Sequence, residues 1–305
     1  MKKALLLVSL LVVLTGVTTS CSSGNNGSVQ DTPTIAAPTA TPIDPLSIKK
    51  PQSDYSIVVN RSNVLGTFNK NNTWTNAADS QKIIKGDEVF TFYSFDSVLG
   101  TGIKPKYKAD KTLDITQDFP YSNKDELSAR VFIYQLGISG PWNALPRKPE
   151  AATGNLINYG KMVKEVLDKN ALPDSNISIK KSAVIDLDGD GTKEQIVSAY
   201  DYNTANWFSS GGKDGKGTYS MVVLNKTVDG KEQNIVVRDQ YTKNKPAKEY
   251  IYFAPLFLDV DNDGNMEIVV EGKSLTSSTI EFYRVEGSKV RNIYSTEIPN
   301  NDTKK

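Results

Sequence analysis

Apolar and polar residues alternate in short runs from residue 55 onward, which is the pattern of half-buried β-strands. In the first half of the chain these runs are rich in aromatic and β-branched residues and cover residues 55–59, 66–68, 88–93 and 129–134. The stretch over residues 137–153 contains several Gly and Pro residues and predicts an irregular connection. The pattern therefore predicts a small β domain over residues 51–150.

The apolar period changes after this connection. Apolar residues recur three and four positions apart at Leu156, Ile157, Met162, Val163, Val166 and Leu167. This spacing predicts one amphipathic helix over residues 155–169, with Thr153 or Asn155 as its N-cap and Pro173 beyond its end. Strand-like runs then return at residues 177–185, 195–200, 219–224, 234–237, 250–258, 268–271 and 280–285. The predicted fold class is mainly β (α+β), with a second, β-rich domain over residues 151–298 that contains the helix.

The first residues of the chain have the pattern of a signal peptide. Lys2 and Lys3 precede an apolar run over residues 4–17, and small residues then lead to Cys21. The apolar run is shorter than the roughly 20 residues that a membrane span needs. The residues before Cys21 resemble a lipobox, with Thr18 where Leu is usual. We therefore predict a lipoprotein signal peptide over residues 1–20 and a lipid on Cys21, which also explains a single cysteine with no disulfide partner.

Residues 21–50 are mostly Ser, Thr, Asn, Gly, Pro and Ala, with few large apolar side chains. Such a segment cannot bury enough surface to offset the entropy of ordering, so it predicts a disordered tether. A short disordered tail is predicted over residues 299–305. Together with the signal peptide and the lipidated cysteine, the tether indicates an extracytoplasmic protein held at the cell surface by a lipid anchor.

The composition excludes several classes of function. The chain has 36 basic and 35 acidic residues, so no strong basic field exists to recruit nucleic acid. It has no histidine, and its single cysteine is assigned to the lipid. Ser-His-Asp and Cys-His mechanisms and His-based zinc sites are therefore excluded. An enzyme built on this chain would have to use carboxylates, Lys or Tyr, and the sequence contains no catalytic motif of that kind.

Two segments repeat one acidic pattern, each preceded and followed by an apolar run. The first copy provides Asp186, Asp188, Asp190, Thr192 and Glu194, and the second provides Asp259, Asp261, Asp263, Asn265 and Glu267. Alternate carboxylates, a turn-forming Gly, a backbone carbonyl at the seventh position and an acid at the ninth are a set of hard oxygen donors typical of a calcium site. The alternative is a pair of acidic surface turns, since Asp and Gly are common turn residues. We predict two Ca²⁺ sites.

The position of the last acid distinguishes these loops from EF-hands, which need an acidic ligand at position twelve. That position holds Val197 in the first copy and Val270 in the second. A ninth-position Glu followed by a β run instead resembles the calcium loops of FG-GAP and VCBS repeats. The wider sequence, including residues 141–150, resembles a group of uncharacterised bacterial lipoproteins and secreted proteins. The resemblance implies metal-ligand roles for the ten residues named above, and it implies no enzymatic activity.

A Gly-rich segment between the two acidic loops contains Trp207 and Phe208, with Tyr200 and Tyr202 just before it. Exposed aromatic side chains there would provide a ligand contact for an envelope polysaccharide or a surface protein. The alternative is that these side chains cover the edge of the core. The sequence thus predicts a calcium-stabilised binding or adhesion-type module. The two other hypotheses are a carboxylate-based carbohydrate-active enzyme and a purely structural spacer of the cell envelope.

Overall fold

The structure is a computed structural model that describes residues 55–60, 63–69, 73–80, 82–107, 113–118, 135–152, 156–202, 219–244 and 248–299. It is mainly β, as predicted, with three antiparallel sheets of seven, five and four strands. Among these residues, no helix is both long and apolar enough to cross a membrane. The predicted signal peptide, Cys21, the tether, the strand at 129–134, both helix-cap candidates, Trp207, Phe208 and the tail over residues 299–305, apart from Pro299, lie outside the described residues.

The first sheet contains seven strands in the order β3-β2-β1-β7-β4-β5-β6. They are β1 (Tyr55–Asn60), β2 (Asn63–Asn69), β3 (Trp74–Asn76), β4 (Phe90–Tyr93), β5 (Val98–Tyr107), β6 (Leu113–Asp118) and β7 (Leu136–Ile138). A one-turn helix, α1 (Ala77–Ser80), follows β3. Strand β7 lies between β1 and β4, where Ile138 is paired with both Val58 and Thr91. The prediction of an irregular connection was therefore wrong for residues 137 and 138, because pairing on both sides makes them a central strand.

The second sheet contains five strands in the order β12-β11-β10-β9-β8. They are β8 (Glu150–Ala151), β9 (Ile179–Ile185), β10 (Glu194–Tyr200), β11 (Tyr219–Val228) and β12 (Lys231–Tyr241). Helix α2 (Leu156–Lys169) covers one face of this sheet and begins and ends within one residue of the prediction. Its apolar stripe, including Val163 and Leu167, packs against alternate residues of the strands such as Val197 and Met221. The helix forms because this stripe recurs at helical spacing and is buried on the sheet.

The third sheet contains four strands in the order β13-β14-β15-β16. They are β13 (Ile251–Leu258), β14 (Glu267–Lys273), β15 (Ser277–Glu286) and β16 (Lys289–Pro299). This sheet packs against the face of the second sheet that α2 leaves uncovered. Backbone N–H groups of β13 reach across the contact: Tyr252 N donates to Ser220 Oγ at 2.7 Å, and Ala254 N donates to Ser198 Oγ at 3.0 Å. The small polar residues of the second sheet thus satisfy the edge strand of the third.

One hydrophobic cluster contains side chains from all three sheets. Val58 and Leu136 of the first sheet share this cluster with Leu224 of the second and with Leu256 and Phe282 of the third. All the described residues also belong to one compact unit of the chain. Side chains on both sides of residue 150 therefore build a common core, while the division into domains at that residue stays a prediction.

Candidate metal-binding loops

Both acidic segments connect two antiparallel strands in the same way. The first loop, residues 186–194, joins β9 to β10, and Glu194 pairs with Ile185 in the sheet. The second loop, residues 259–267, joins β13 to β14, and Glu267 pairs with Leu258. In each copy the apolar strand before the loop and the apolar strand after it anchor the ends in the core. The sequence repeat is therefore also a structural repeat.

The two loops share their backbone shape at the fourth and sixth positions. Gly189 and Asn262 occupy the fourth position with φ of 78° and 64°, and Gly191 and Gly264 occupy the sixth with φ of 86° and 90°. Glycine adopts such angles without strain, and Asn tolerates them better than most residues. This backbone turns the loop back on itself and brings the carboxylates of its two ends together.

The first Asp of each loop accepts hydrogen bonds from the turn. Asp186 Oδ1 accepts from Gly189 N at 2.6 Å, and its Oδ2 accepts from Gly191 N at 3.2 Å. In the second loop the two oxygens of Asp259 accept from the backbone of Asp263 at 3.2 Å and of Gly264 at 3.1 Å. Each carboxylate therefore holds the turn closed and keeps a fixed orientation.

The ninth-position Glu is buried in both loops and closes them from the other end. Glu194 Oε2 accepts a hydrogen bond from Leu187 N at 2.8 Å. Glu267 Oε2 accepts the equivalent bond from Val260 N at 3.1 Å. One oxygen of each Glu, Oε2, therefore binds the backbone at the second position of the loop, and the second oxygen, Oε1, has a different partner.

In each copy a basic side chain reaches Oε1 of this Glu. It comes from the next strand of the sheet, β11 for the first loop and β15 for the second. In the first loop Lys226 Nζ lies 2.6 Å from Glu194 Oε1 and 2.7 Å from Asp188 Oδ2. In the second loop the guanidinium of Arg284 donates to Glu267 Oε1 at 2.6 and 2.8 Å and to Asp261 Oδ2 at 2.6 Å. Each basic group thus bridges the third and ninth positions of its loop.

Burial and these charges change the acidity of the loop carboxylates in different directions. Burial raises the pKa of Asp259 to about 6. It also raises the pKa of Glu267 to about 8, against the opposing charge of Arg284. Burial likewise acts to raise the pKa of Asp188, but the hydrogen bond and charge of Lys226 outweigh it and lower the pKa. Asp259 and Glu267 of the second loop are therefore affected mainly by burial, whereas Asp188 of the first loop is affected more by its basic partner.

Three acidic side chains in each loop lie close enough together to hold a metal ion. One oxygen each of Asp186, Asp188 and Glu194 lie within 4.8 Å of one another. One oxygen each of three acids in the second loop satisfy the same limit: Asp259, Asp261 and Asp263. Two oxygens that bind one Ca²⁺ at about 2.4 Å can be no more than about 4.8 Å apart. These two clusters can therefore hold a metal ion.

The two clusters do not contain every predicted ligand. Asp190 and Glu267 lie outside them, and the seventh-position residues Thr192 and Asn265 would contribute backbone carbonyls, which these acidic clusters do not include. The side chain of Asp190 accepts a hydrogen bond from Thr192 N at 2.6 Å, and Glu267 is engaged with Arg284. The metal-ligand roles of these four residues stay predictions.

Arg147, in the segment over residues 141–150, connects the two loops to each other. The side chain of Arg147 donates to the carbonyls of Asp186 at 2.6 Å and Leu187 at 2.9 Å in the first loop. It also donates to the carbonyl of Gly264 in the second loop at 2.6 Å. The loops additionally bond directly, since Met266 N donates to the carbonyl of Leu187 at 2.8 Å. The two loops therefore form one polar cluster of the molecule.

The aromatic segment has only its first residues in the described part of the chain. Tyr202 is buried, and its hydroxyl lies 3.0 Å from Thr242 Oγ1. Its ring packs beside Ile251, which favours the alternative that these side chains cover the edge of the core, and the ligand role of Tyr202 stays a prediction. Tyr200 is half-buried, and Lys180 Nζ lies 5.0 Å from the centre of its ring. Tyr200 also packs against the cluster of Tyr202 and Ile251, and its role as a ligand contact stays a prediction.

Three functional residues were not found by sequence reasoning: Lys226, Arg284 and Arg147. A signal for the first two is present in the sequence, since Lys226 lies two residues after the apolar run that ends at Leu224 and Arg284 lies directly before Val285. Interpreting that signal requires the register of neighbouring strands. Arg147 lies in an irregular segment, and its three carbonyl partners are far from it in the sequence. No local pattern marks it.

Comparisons with known proteins add nothing to these geometric observations. No family model, no curated protein and no solved structure matches the chain.

Proposed function

We propose that this chain is a lipid-anchored extracytoplasmic protein whose folded part is a calcium-stabilised binding or adhesion-type module. The observation that carries the proposal is the pair of equivalent loops, each with three carboxylate oxygens within 4.8 Å of one another. Two copies with the same strand context, the same turn angles and the same buried ninth-position Glu are unlike the acidic turns of an ordinary surface. The resemblance to FG-GAP and VCBS calcium loops supports calcium as the ion.

Calcium bound in these loops would supply positive charge to carboxylates that otherwise repel one another, and it would link the strand ends. The chain itself supplies the framework. The buried Glu194 and Glu267 fix the base of each loop, and the first Asp of each holds the turn. The expected role of the ion is therefore structural: it makes the loop edge of the second and third sheets rigid for binding.

Calcium is expected to stabilise the chain after its predicted lipidated cysteine, residues 22–305. After chelator treatment, addition of 10 mM Ca²⁺ should raise the midpoint of thermal unfolding by about 5 °C, since a ligand that binds the folded state alone stabilises it by mass action. The double variant Asp186→Asn and Asp259→Asn should lose this increase. Differential scanning calorimetry measures both.

The control for these variants is Asp229→Asn, which removes one acidic charge from the exposed turn between β11 and β12. This control should keep the full calcium response. An equal response in the double variant would refute the assignment of the loops, and no response in the wild-type chain would refute calcium dependence.

The lipid anchor makes a separate prediction at Cys21. A bacterial host grown with an alkyne-tagged fatty acid should label the full-length chain and place it in the membrane fraction. Cys21→Ser should abolish both labelling and membrane association, because the thiol is the predicted acceptor of the lipid. Labelling that persists in Cys21→Ser, or a wild-type chain found in the soluble fraction, would contradict the anchor while leaving the calcium loops unaffected.

The partner proposed for the module is an envelope polysaccharide or a surface protein. The support for this partner is the aromatic content of the segment that contains Trp207 and Phe208, next to Tyr200. The described acids of the first sheet give no comparable support to a glycoside-cleaving enzyme. Glu88, for example, is buried, and its carboxylate accepts hydrogen bonds from Lys85 N at 2.6 Å and Gly86 N at 2.9 Å.

A further inference from the structure

Lys226 and Arg284 occupy equivalent positions in the two copies of the repeat. Gln195 pairs with Asn225 in the second sheet, so Glu194 and Lys226 lie one position beyond that pair. Ile268 pairs with Tyr283 in the third sheet, which places Glu267 and Arg284 in the same relation. Both copies therefore share a basic side chain opposite the ninth-position Glu of the loop. It lies on β11 in the first copy and on β15 in the second.

Both basic side chains are buried, so their charges interact strongly with the neighbouring carboxylates. The side chain of Lys226 is 7% exposed and that of Arg284 is 5% exposed. Charges so far from solvent are screened little by water or salt, and their removal leaves a buried carboxylate without compensation. These ion pairs are therefore energetically unlike the exposed pairs on the surface of the same chain.

The basic groups use the same carboxylates that the metal clusters offer. Lys226 binds Asp188 and Glu194, which are two of the three acids in the first cluster. Arg284 lies 2.6 Å from Asp261 and 3.4 Å from Asp263, which are two of the three acids in the second. A divalent cation in either loop would share ligands with a resident positive charge.

We infer that Lys226 and Arg284 are resident cations that set the calcium affinity of the two loops, an inference that rests on the proposed function. Each holds its loop folded when calcium is absent, because it compensates the carboxylates of the third and ninth positions. Each also lowers the affinity for calcium, because it repels the ion and competes for its ligands. The loops then respond to calcium at roughly 0.1–1 mM, the range of extracellular calcium modules.

Charge balance explains why calcium still binds beside these residues. The first loop has four acids, Asp186, Asp188, Asp190 and Glu194, and one base of its own, Lys193, and Lys226 adds a second positive charge. The second loop has the same number of acids against Arg284. A net negative charge therefore remains in each loop, and one divalent ion would reduce it without reversing it. The resident cation lowers the affinity for the ion and does not abolish it.

The two loops should differ in how strongly the resident cation acts. Arg284 reaches three acids, Asp261, Asp263 and Glu267, whereas Lys226 reaches two. The guanidinium also makes two hydrogen bonds to Glu267 from different nitrogens. Removal of Arg284 should therefore change calcium affinity more than removal of Lys226.

The test uses chelator-treated residues 22–305 and isothermal titration with CaCl₂. Lys226→Gln and Arg284→Gln should each tighten binding at one site by at least roughly tenfold, because a repelling unit charge close to the ion is removed. Calorimetric scans in chelator should show a lower unfolding midpoint for both variants, and calcium should restore it. Lys226→Arg and Arg284→Lys keep the charge and should bind calcium with nearly wild-type affinity. They should also stay folded if a Gln variant fails to fold.

Matched controls remove an exposed charge near each loop. Lys193→Gln changes the eighth residue of the first loop, whose amine points away from the acids and pairs with Glu150 at the surface. Arg291→Gln lies opposite Arg284 on β16, with its side chain 58% exposed. Because water screens both charges, these variants should change calcium affinity by less than about twofold.

The outcomes separate the inference from the proposed function. Tighter binding in the Gln variants with normal controls supports both. Wild-type binding that does not tighten in the Gln variants overturns the inference and leaves the calcium module standing. Binding that appears in the Gln variants alone supports the resident-cation role and overturns calcium dependence of the wild type. Absence of binding in every chain overturns both.

Discussion

Replacement of Trp74, which is half-buried against the core, by alanine is expected to lower the free energy of unfolding of residues 22–305 by about 3 kcal/mol, since loss of a packed aromatic side chain removes its transfer energy and leaves a cavity. Trp74 lies on β3, and its ring centre is 4.5 Å from that of Phe68 in the same sheet. It is also 4.1 Å from Tyr294 and 5.9 Å from Phe282 in the third sheet. Denaturant unfolding followed by circular dichroism measures the loss.

The location of Trp74 makes this variant a test of domain organisation. Because the ring joins the first sheet to the third, a single cooperative transition should shift as a whole. Two transitions, with only one of them shifted by Trp74→Ala, would show instead that the predicted boundary at residue 150 separates two folding units. Other bonds cross the same boundary: Tyr294 OH donates to the carbonyl of Leu65 at 3.0 Å, and Ser56 Oγ donates to that of Val260 at 2.8 Å.

Trp74→Phe is the matched control for packing. Within the part of the chain that the structure describes, Trp74 Nε1 is buried without a hydrogen-bond partner. Loss of the indole N–H should therefore cost little, and the smaller aromatic ring should keep most of the stability, with a loss of about 1 kcal/mol. A loss as large as that of Trp74→Ala would show that the whole indole, and not aromatic packing in general, is required.

Helix α2 was predicted to within one residue, while several strands of the first sheet were not predicted. The helix has a long apolar stripe at regular spacing, which local sequence alone determines. Strand β5 contains Gly100, Gly102 and Pro105, which interrupt its alternation, and β7 has three residues, too few for any period. These strands form because neighbouring strands pair with them. The residues that determine this pairing are distributed over the whole chain.

Strand β16 was missed for a different reason. It is an edge strand of the third sheet, and most of its side chains are exposed or half-buried. Its residues are mainly charged and polar, which is typical of a protected edge strand but removes the hydrophobic signal on which sequence reasoning depends. Its partner β15, which is buried along most of its length, was predicted over its central residues.

The acids of the candidate site were predictable, because their spacing within nine residues is a local property of the sequence. The groups that complete the site were not. Lys226 and Arg284 reach the loops only because β11 pairs with β10 and β15 pairs with β14 in one register. A shift of one residue would move each side chain to the other face of its sheet. The electrostatics of the loops is therefore a consequence of the fold and cannot be derived from the loops alone.

Replacement of Arg147 by glutamine is expected to lower the free energy of unfolding by about 3 kcal/mol, since it removes charged hydrogen bonds to two partly buried carbonyls and one exposed carbonyl. These carbonyls belong to Asp186 and Leu187 of the first loop and Gly264 of the second. Arg147 Nη1 also lies 3.0 Å from the point where a Cβ on Gly189 would stand. The guanidinium therefore occupies a space beside the backbone of the loops that a shorter side chain would not fill.

The geometry of Arg147, rather than its charge, should account for most of this loss. Arg147→Lys keeps the charge but cannot direct planar donors to three carbonyls at once, so it should still lose about 2 kcal/mol. Lys148→Gln changes an exposed neighbour and should stay within about 0.5 kcal/mol of the wild type. If Arg147→Lys were as stable as the wild type, charge near the acidic loops would explain the effect. If Arg147→Gln were equally stable, the two loops would be held together by other bonds, such as that from Met266 N to the carbonyl of Leu187.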